Sequence, residues 1–118
     1  MKRERKLVKI QVLLKGEINM DLVKIDKVIA EQVMGYIVDG NLVFDGNEVM
    51  ISFKPTTNIS DAFKIIEMIQ NKGYAWHLMM YNVENEVEAK VGRGISWANT
   101  APLAICKATL KHYCIEIK

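Results

Sequence analysis

Residues 86–113 read EVEAKVGRGISWANTAPLAICKATLKHY. Over Glu86–Arg93, the apolar residues Val87, Ala89 and Val91 alternate with Glu86, Glu88, Lys90 and Gly92. This period of two is typical of a strand with one buried and one wet face. From residue 103 onward, apolar residues recur every three or four positions, as they do along one face of a helix. The members of that stripe are Leu103, Cys106, Leu110 and Tyr113. We therefore predict a strand, a loop over Gly94–Thr100, and a final helix with Thr100 as N-cap.

The same two periods alternate through the rest of the chain. Helices are predicted over 21–34, with Asp21 as N-cap, and over 59–72, with Asn58 as N-cap. Strands are predicted over residues 7–14, 36–38, 42–44, 49–53 and 74–82. Glycines that suit a left-handed turn or helix end follow several of these segments: Gly35, Gly40, Gly46 and Gly73. The fold class is α+β, with about five strands in an antiparallel β-sheet sandwiched between two to three α-helices.

Composition indicates one globular domain. The chain has 118 residues, of which 50% are hydrophobic and 25% charged, both ordinary values for a folded domain. Residues 20–118 form the predicted domain, and residues 1–19 form an N-terminal extension with a basic tail and an extra strand. The tail is either a solvated segment or an arm that contacts phosphate. Because the net charge is only +2, nucleic acid is an unfavoured partner.

The chain has the features of a soluble protein of the cytoplasm. No apolar run reaches the roughly 18–20 residues that cross a bilayer, so no membrane partner is expected. Residues 7–14 lack the cleavage site of a signal peptide. On one helix, Cys106 and Cys114 would lie about 12 Å apart, too far for a disulfide, which needs Cα atoms within about 7 Å. We expect both to be buried thiols in a reducing compartment.

The sequence contains no set of residues typical of catalysis or metal binding. His77 and His112 form no HxxxH or HExxH pattern, and Cys106 lies on the predicted core stripe, which disfavours a reactive thiolate. Ser60 and Ser96 lack a nucleophile-elbow motif. We expect no catalytic residues, no metal and no cofactor, and therefore no enzyme.

Binding of an anionic ligand with a planar ring is better supported, because such a ligand needs stacking surfaces, cations and amide donors. The aromatic candidates are Trp76, Tyr81 and Trp97. The cationic candidates are Lys54, Lys90, Arg93 and Lys107. Asn99 and Thr100 complete the set at the start of the last helix, where anions are favoured. Alternatives remain open: Trp76 as a core residue, Lys54 and Lys90 as solvated charges, and Gly92-Arg93-Gly94 as a plain turn.

Three stretches resemble a known family. They are VIAEQVMGY (28–36), PTTNISDAF (55–63) and ANTAPLAICKA (98–108). Together, in order and spacing, they resemble the phage ABA sandwich domain family. The departures are Asn58 and Asn99, where that family usually has an acid, Phe63, where it often has Trp, and Lys107, where it often has Arg.

The resemblance implies an antiparallel sheet between helices in a protein encoded by a phage or prophage. The architecture is also similar to that of the phage Thoeris anti-defence sponges, oligomers that sequester glycocyclic ADP-ribose made by TIR enzymes; some also hold cyclic oligonucleotides. By analogy we expect a homo-oligomer that binds a small nucleotide signal without cleaving it. Two alternatives stay open: a protein-interaction or inhibitor module that uses strand 7–14, and a nucleic-acid-binding accessory protein.

Overall fold

The structure, a computed structural model, describes residues 17–40, 42–50, 52–81 and 86–117, with the backbone alone for 17–21. The helices are α1 (Glu17–Val28, continued by a π-helix over Ile29–Val33), α2 (Ile59–Asn71) and α3 (Ala101–His112). The strands are β1 (Ile37–Asp39), β2 (Leu42–Asp45), β3 (Glu48–Met50), β4 (Trp76–Tyr81), β5 (Glu86–Val91) and β6 (Gly94–Ala98). The predicted α+β class is confirmed. The predicted strand 7–14 lies outside the described residues.

The described strands form two antiparallel sheets of three strands each, in the orders β1-β2-β3 and β4-β5-β6. We call β1-β2-β3 the smaller sheet because its strands have only three or four residues each. Its strands are joined by tight turns at Gly40 and Gly46, whose φ angles are +61° and +63°. These left-handed conformations suit glycine because it has no Cβ. In the larger sheet, Ala89 of β5 stands between Leu78 of β4 and Ser96 of β6. This larger sheet carries four of the nine predicted binding residues, namely Trp76, Tyr81, Lys90 and Trp97.

The predicted loop over Gly94–Thr100 is wrong, because Gly94–Ala98 is strand β6, which pairs with β5. A two-residue connection, Gly92-Arg93, joins the two strands, and Gly92 has φ +56°. Gly94 is a glycine because a Cβ there would lie 2.0 Å from the carbonyl oxygen of Ala108. In the sequence this glycine resembled a loop signal, whereas in the fold it permits close packing of α3 on the sheet.

Two of the three predicted N-caps are confirmed. The Asn58 side chain accepts a hydrogen bond from Asp61 N at 3.0 Å, and Thr100 Oγ1 accepts one from Leu103 N at 3.4 Å. Asp21 is not an N-cap, because α1 begins four residues earlier at Glu17. No glycine or proline separates Glu17 from Asp21, so nothing in the local sequence ends the helix there.

The core includes residues of all three helices, and one part of it lies between α3 and one face of the larger sheet, which we call the covered face. Its side chains on β5 are Val87, Ala89 and Val91, and all three are buried. Ile105 of α3 is fully buried against this face, which confirms the alternation predicted for β5. Cys106 is buried as expected and burial raises the pKa of its thiol.

The prediction that Cys114 is buried is wrong, because its side chain is exposed. α3 ends at His112, and Cys114 has φ +57°, a left-handed conformation beyond the helix end. Cys114 therefore does not continue the buried stripe of the helix. Both cysteines are free thiols, although the spacing argument does not apply because Cys114 lies outside the helix.

Candidate functional site

The side chains of β4, β5 and β6 that point away from α3 form a second face of the larger sheet, which we call the outer face. The strand register places eight residues on it: His77, Met79, Tyr81, Glu86, Glu88, Lys90, Ile95 and Trp97. Several apolar members are exposed, including Met79 at 48% and Ile95 at 39%. The outer face thus combines aromatic, charged and exposed apolar side chains, as a binding surface does.

Glu88 lies at the centre of the outer face and accepts hydrogen bonds from rings on both neighbouring strands. Tyr81 Oη donates to Glu88 Oε1 at 3.1 Å, and Trp97 Nε1 donates to the same oxygen at 3.0 Å. His77 Nε2 lies 3.1 Å from Glu88 Oε2. Because Glu88 pairs with Trp97 across β5 and β6, the register itself brings this carboxylate and the indole together.

Hydrogen bonding in this network shifts the ionisation of its members. The hydrogen bond with His77, followed by those from Tyr81 and Trp97, lowers the pKa of Glu88 despite an opposing effect of burial. The hydrogen bond to Glu88 raises the pKa of Tyr81. Glu88 therefore stays ionised and Tyr81 stays protonated near neutral pH, so the carboxylate keeps both rings oriented.

Lysines of α3 reach the outer face around strand β6. Lys111 Nζ lies 5.9 Å from the centroid of the Trp97 ring and donates a hydrogen bond to the Ile95 carbonyl oxygen at 3.1 Å. Lys107 Nζ donates to the Trp97 carbonyl oxygen at 3.0 Å. Lys90 lies on the outer face itself, two residues from Glu88, a separation of about 7 Å along a strand. Lys111 therefore lies beside the Trp97 ring, whereas Lys107 binds the main chain of Trp97.

Arg93 lies at the tip of the β5–β6 hairpin and is exposed. Its backbone N–H donates to His112 Nδ1 at 3.0 Å, so this nitrogen must be unprotonated. Burial, then the nearby charges of Arg93 and Lys72, lower the pKa of His112 and favour its neutral form. A neutral imidazole thus anchors the turn from which the Arg93 side chain projects.

The structure separates the other predicted site residues from the outer face. Trp76 belongs to the covered face, where its ring meets Phe63 edge-on at 5.8 Å and its Nε1 donates to Gln70 Oε1 at 3.2 Å. Trp76 therefore packs against the core, which was the alternative to a binding role. Asn99 and Thr100 line a different part of the surface, as does Lys54.

Neither Trp97 nor Arg93 lines any of the three best-formed clefts among the described residues. Asn99 and Thr100 line a mostly apolar cleft of about 420 Å³. Lys54 lines one of about 270 Å³ beside Asp26. The predicted residues therefore divide among the outer face and two clefts instead of forming one concave site.

Asp26 is a half-buried acid in the smaller of these two clefts. Its Oδ1 accepts a hydrogen bond from Thr56 N at 2.9 Å. Burial raises the pKa of Asp26, while Thr56 and the charge of Lys54 oppose that rise. Asp26 therefore orders the segment that precedes α2, and this contact serves the fold.

Glu88, the centre of the hydrogen-bond network on the outer face, was not among the residues predicted from the sequence. Its position in an alternating strand marked it only as one more wet-face charge. The pairing of β5 with β6 would have identified Glu88, but residues 94–98 were interpreted as a loop.

Among described residues, no group of three His, Cys, Asp or Glu side chains could hold a metal ion. Of the described helices, none is long and apolar enough to span a membrane.

Three helices and two antiparallel three-stranded sheets, within the described ranges, define a small α+β sandwich protein. Residues 27–110 match the phage ABA sandwich domain family, and the chain belongs to this family. A solved structure of a phage protein from Bacillus cereus ATCC 14579 is similar, with a TM-score of 0.60 and 27% sequence identity. The match covers 80% of this chain and 88% of that one. No curated protein matches the chain.

Proposed function

We propose that this phage protein is an anti-defence sponge that binds and sequesters a cyclic nucleotide immune signal without cleaving it. The observation that carries the proposal is the outer-face arrangement of Trp97 and Tyr81, which both donate hydrogen bonds to Glu88, with Lys111 beside the Trp97 ring. An oriented aromatic ring is a stacking surface for a base, and stacking of one base contributes about 1–3 kcal/mol.

The charges of the outer face suggest how such a ligand would lie. Glu88 is an acceptor and would repel phosphate, so it suits the donor groups at the edge of a base that stacks on Trp97. Lys90 lies two residues from Glu88 on β5 and Lys111 lies beside the Trp97 ring, and they would meet the phosphates. The ligand class this arrangement fits is a glycocyclic ADP-ribose or a cyclic oligonucleotide, which combine bases with phosphate.

Sequestration needs affinity and no chemical step, and the outer face fits that requirement. Glu88 already accepts hydrogen bonds from the Tyr81 hydroxyl and the Trp97 indole and contacts His77. A carboxylate held in this way has a lowered pKa, which makes it a weak general base near neutral pH. We therefore propose a binding protein and not an enzyme.

We also propose that the protein acts as a homo-oligomer in the cytoplasm of the infected host. Trp97 lies on a sheet face and lines none of the three clefts. Small-molecule sites commonly bury most of the ligand between walls. A second copy facing or extending the outer face would supply the missing wall.

The direct test is to incubate the protein with the product of a TIR enzyme, or with cyclic di- and trinucleotides, and to record its melting temperature. A bound ligand at 100 times its Kd stabilises the folded state by about 2.7 kcal/mol, so the melting temperature should rise. Heat release followed by mass spectrometry should return the ligand with its mass unchanged. A cleaved product would show an enzyme, and the absence of any shift with all these ligands would reject the sponge.

Two substitutions test the location of the site. Trp97→Leu should raise the Kd by about 5- to 150-fold, since loss of one stacked base removes about 1–3 kcal/mol. Tyr74→Leu is a matched control, because Tyr74 is an aromatic residue outside the outer face, in contact with His112, and the Kd should not change. Equal effects of the two changes would place the ligand elsewhere.

A second candidate function is a protein-interaction or inhibitor module, which the smaller sheet favours. Ile37, Leu42 and Val49 are large apolar side chains on that sheet, and all are exposed. Ile37 and Val49 flank Phe44 in one cross-strand row. If this surface binds a host protein, Val49→Lys should abolish anti-defence activity and leave nucleotide binding unchanged, whereas the sponge hypothesis predicts that the activity persists.

A further inference from the structure

The two edges of the larger sheet differ. In the described part of the chain, β6 forms one edge and β4 the other. On β6, the carbonyl oxygens of Ile95 and Trp97 accept hydrogen bonds from Lys111 and Lys107. Lysines at an edge hinder the addition of another strand. The β6 edge is therefore closed to strand pairing by side chains of its own α3.

The β4 edge has main-chain groups directed outward at alternate residues. Gly92 N donates to the Ala75 carbonyl oxygen at 2.9 Å, just beyond the last register pair, Trp76 and Val91. Because hydrogen-bonded and non-hydrogen-bonded pairs alternate in an antiparallel ladder, the odd residues of β4 bond to β5. The N–H and C=O groups of Trp76, Leu78 and Met80 therefore point away from β5.

The side chains of β4 do not protect this edge. The strand reads WHLMMY and contains no lysine, no proline and no acidic residue. Met80 points to the covered side of the sheet and yet is 73% exposed. Met79, on the outer face, is also exposed. An uncharged edge strand with exposed apolar side chains on both faces is suited to pair with a similar strand.

We propose that the β4 edge pairs with the β4 edge of a second copy of this chain, about a two-fold axis at Leu78. In a symmetric antiparallel pair, only residues with outward main-chain groups can form hydrogen-bonded pairs. An axis at Leu78 places Leu78 opposite its own copy and Trp76 opposite Met80 of the second copy. This register uses all three outward residues of β4, which no other symmetric register of the strand does.

The same register explains the side chains. Met80 would contact the Trp76 ring of the second copy, and a thioether next to an aromatic edge is a favourable contact. No like charges oppose each other, since β4 carries none apart from any on His77, which would lie opposite Met79. Two charge-free identical strands are thus complementary to each other, as a two-fold interface requires.

The pairing would join two sheets into one of six strands with a continuous outer face. The two Glu88 networks would be separated by three strand spacings, about 14–15 Å, and related by the two-fold axis. This pairing would be the subunit interface of the homo-oligomer proposed above, and in that respect the inference rests on the proposed function. Its evidence, the two unlike edges, is separate from the evidence for nucleotide binding.

The mass of the full chain in solution, measured by light scattering over a range of concentrations, tests the pairing. We expect twice the chain mass of 13.5 kDa. Met80→Lys places a lysine at the edge and should yield monomers. Ile95→Lys is the control, because Ile95 is exposed on the closed β6 strand, and this variant should remain dimeric. A monomeric wild-type chain, or a dimer that survives Met80→Lys, would overturn the proposal.

A cross-link tests the register without relying on loss of association. In a Cys114→Ser background, Leu78→Cys should form a disulfide-linked dimer on mild oxidation, because hydrogen-bonded partners have Cα atoms about 5.5 Å apart, within disulfide range. Met79→Cys should not, since its partner would be His77. Equal cross-linking at both positions would reject the axis at Leu78. A dimer that binds no nucleotide would reject the function alone, and a monomer that binds one would reject the pairing alone.

Discussion

The covered and outer faces of the larger sheet are built from alternate residues of the same strands, yet their chemistry differs completely. On β5, Val87, Ala89 and Val91 are buried against α3. Between them, Glu88 and Lys90 are half-buried on the opposite side. One set contributes stability by burial of apolar surface, and the other holds polar groups where a ligand can reach them.

This division shows why the outer face can hold an organised polar network at low cost to the fold. Glu88 is only partly buried, so its charge needs little compensation for lost solvent. The rigid strands beneath it fix the positions of Tyr81 and Trp97, which is the support that a binding site needs. Four changes test how independent the two faces are.

The largest effect is expected from a cavity on the covered side. Ile105→Ala removes a fully buried side chain and should lower the free energy of unfolding by about 3–4 kcal/mol. Ile95→Ala makes the same chemical change on the outer face, where the side chain is exposed, and should cost about 0.5 kcal/mol or less. Urea unfolding near neutral pH measures both. Similar losses would mean that the outer face is buried in solution.

A smaller loss is expected where α3 meets β6. Gly94→Ala places a Cβ 2.0 Å from Ala108 O and 2.7 Å from His112 N, so the helix must move, at about 2–3 kcal/mol. Gly73→Ala is the matched control: no described neighbour lies within 4 Å of its Cβ, although φ is +90°, and we expect about 1 kcal/mol. If Gly94→Ala is the milder change, the contact between helix and sheet is looser than described.

The outer face should depend on the charge of Glu88. Glu88→Gln keeps the shape and should lower stability by about 1 kcal/mol, with a change in tryptophan fluorescence from Trp97. Because the folded state lowers the pKa of Glu88, its contribution is full above the pKa of an unfolded glutamate and disappears as the pH falls through the folded value. The stability difference between wild type and variant should therefore shrink in acid.

The control for this prediction is Glu67→Gln, a change at an exposed glutamate of α2. It should alter neither the stability nor the fluorescence. A difference between wild type and Glu88→Gln that stays constant down to strongly acidic pH would show that the charge of Glu88 contributes nothing to the network.

The smallest effect is expected at His112, which anchors the hairpin that joins the two strands of both faces. Its pKa is lowered in the folded state, so the unfolded chain binds more protons as the pH falls below about 6.5. The contribution of His112 to the free energy of unfolding should be full above that pH and should decline as the pH falls toward the folded pKa of His112. His112→Asn, which offers an oxygen acceptor to Arg93 N, should reduce this decline in urea titrations.

Asp26 changes stability with pH in the opposite direction. Its pKa is raised in the folded state, so the folded state binds more protons than the unfolded state. The folded state therefore gains stability as the pH falls toward the pKa of an unfolded aspartate. This contribution is present in both wild type and His112→Asn, so it cancels in their difference. Identical pH profiles for the two proteins would show that protonation of His112 does not affect folding.

Local patterns predicted the elements whose signal lies in consecutive residues. The helices α2 and α3, with their caps Asn58 and Thr100, follow from short-range side-chain to backbone hydrogen bonds. The alternation of β5 follows from the two-residue period of a strand. Cys114 and Asp21 were misplaced because helix ends depend on competing local preferences that a residue type alone does not settle.

The sequence by itself determined the α+β class, the buried face of β5 and the family to which residues 27–110 belong. Only the tertiary structure decided that β6 is a strand, that Trp76 and Trp97 lie on opposite faces, and that Glu88 receives Tyr81 and Trp97 from two neighbouring strands. The physical reason is range. Periodicity and capping act within a few residues, whereas strand pairing and the approach of α3 to Gly94 depend on residues distant in the chain.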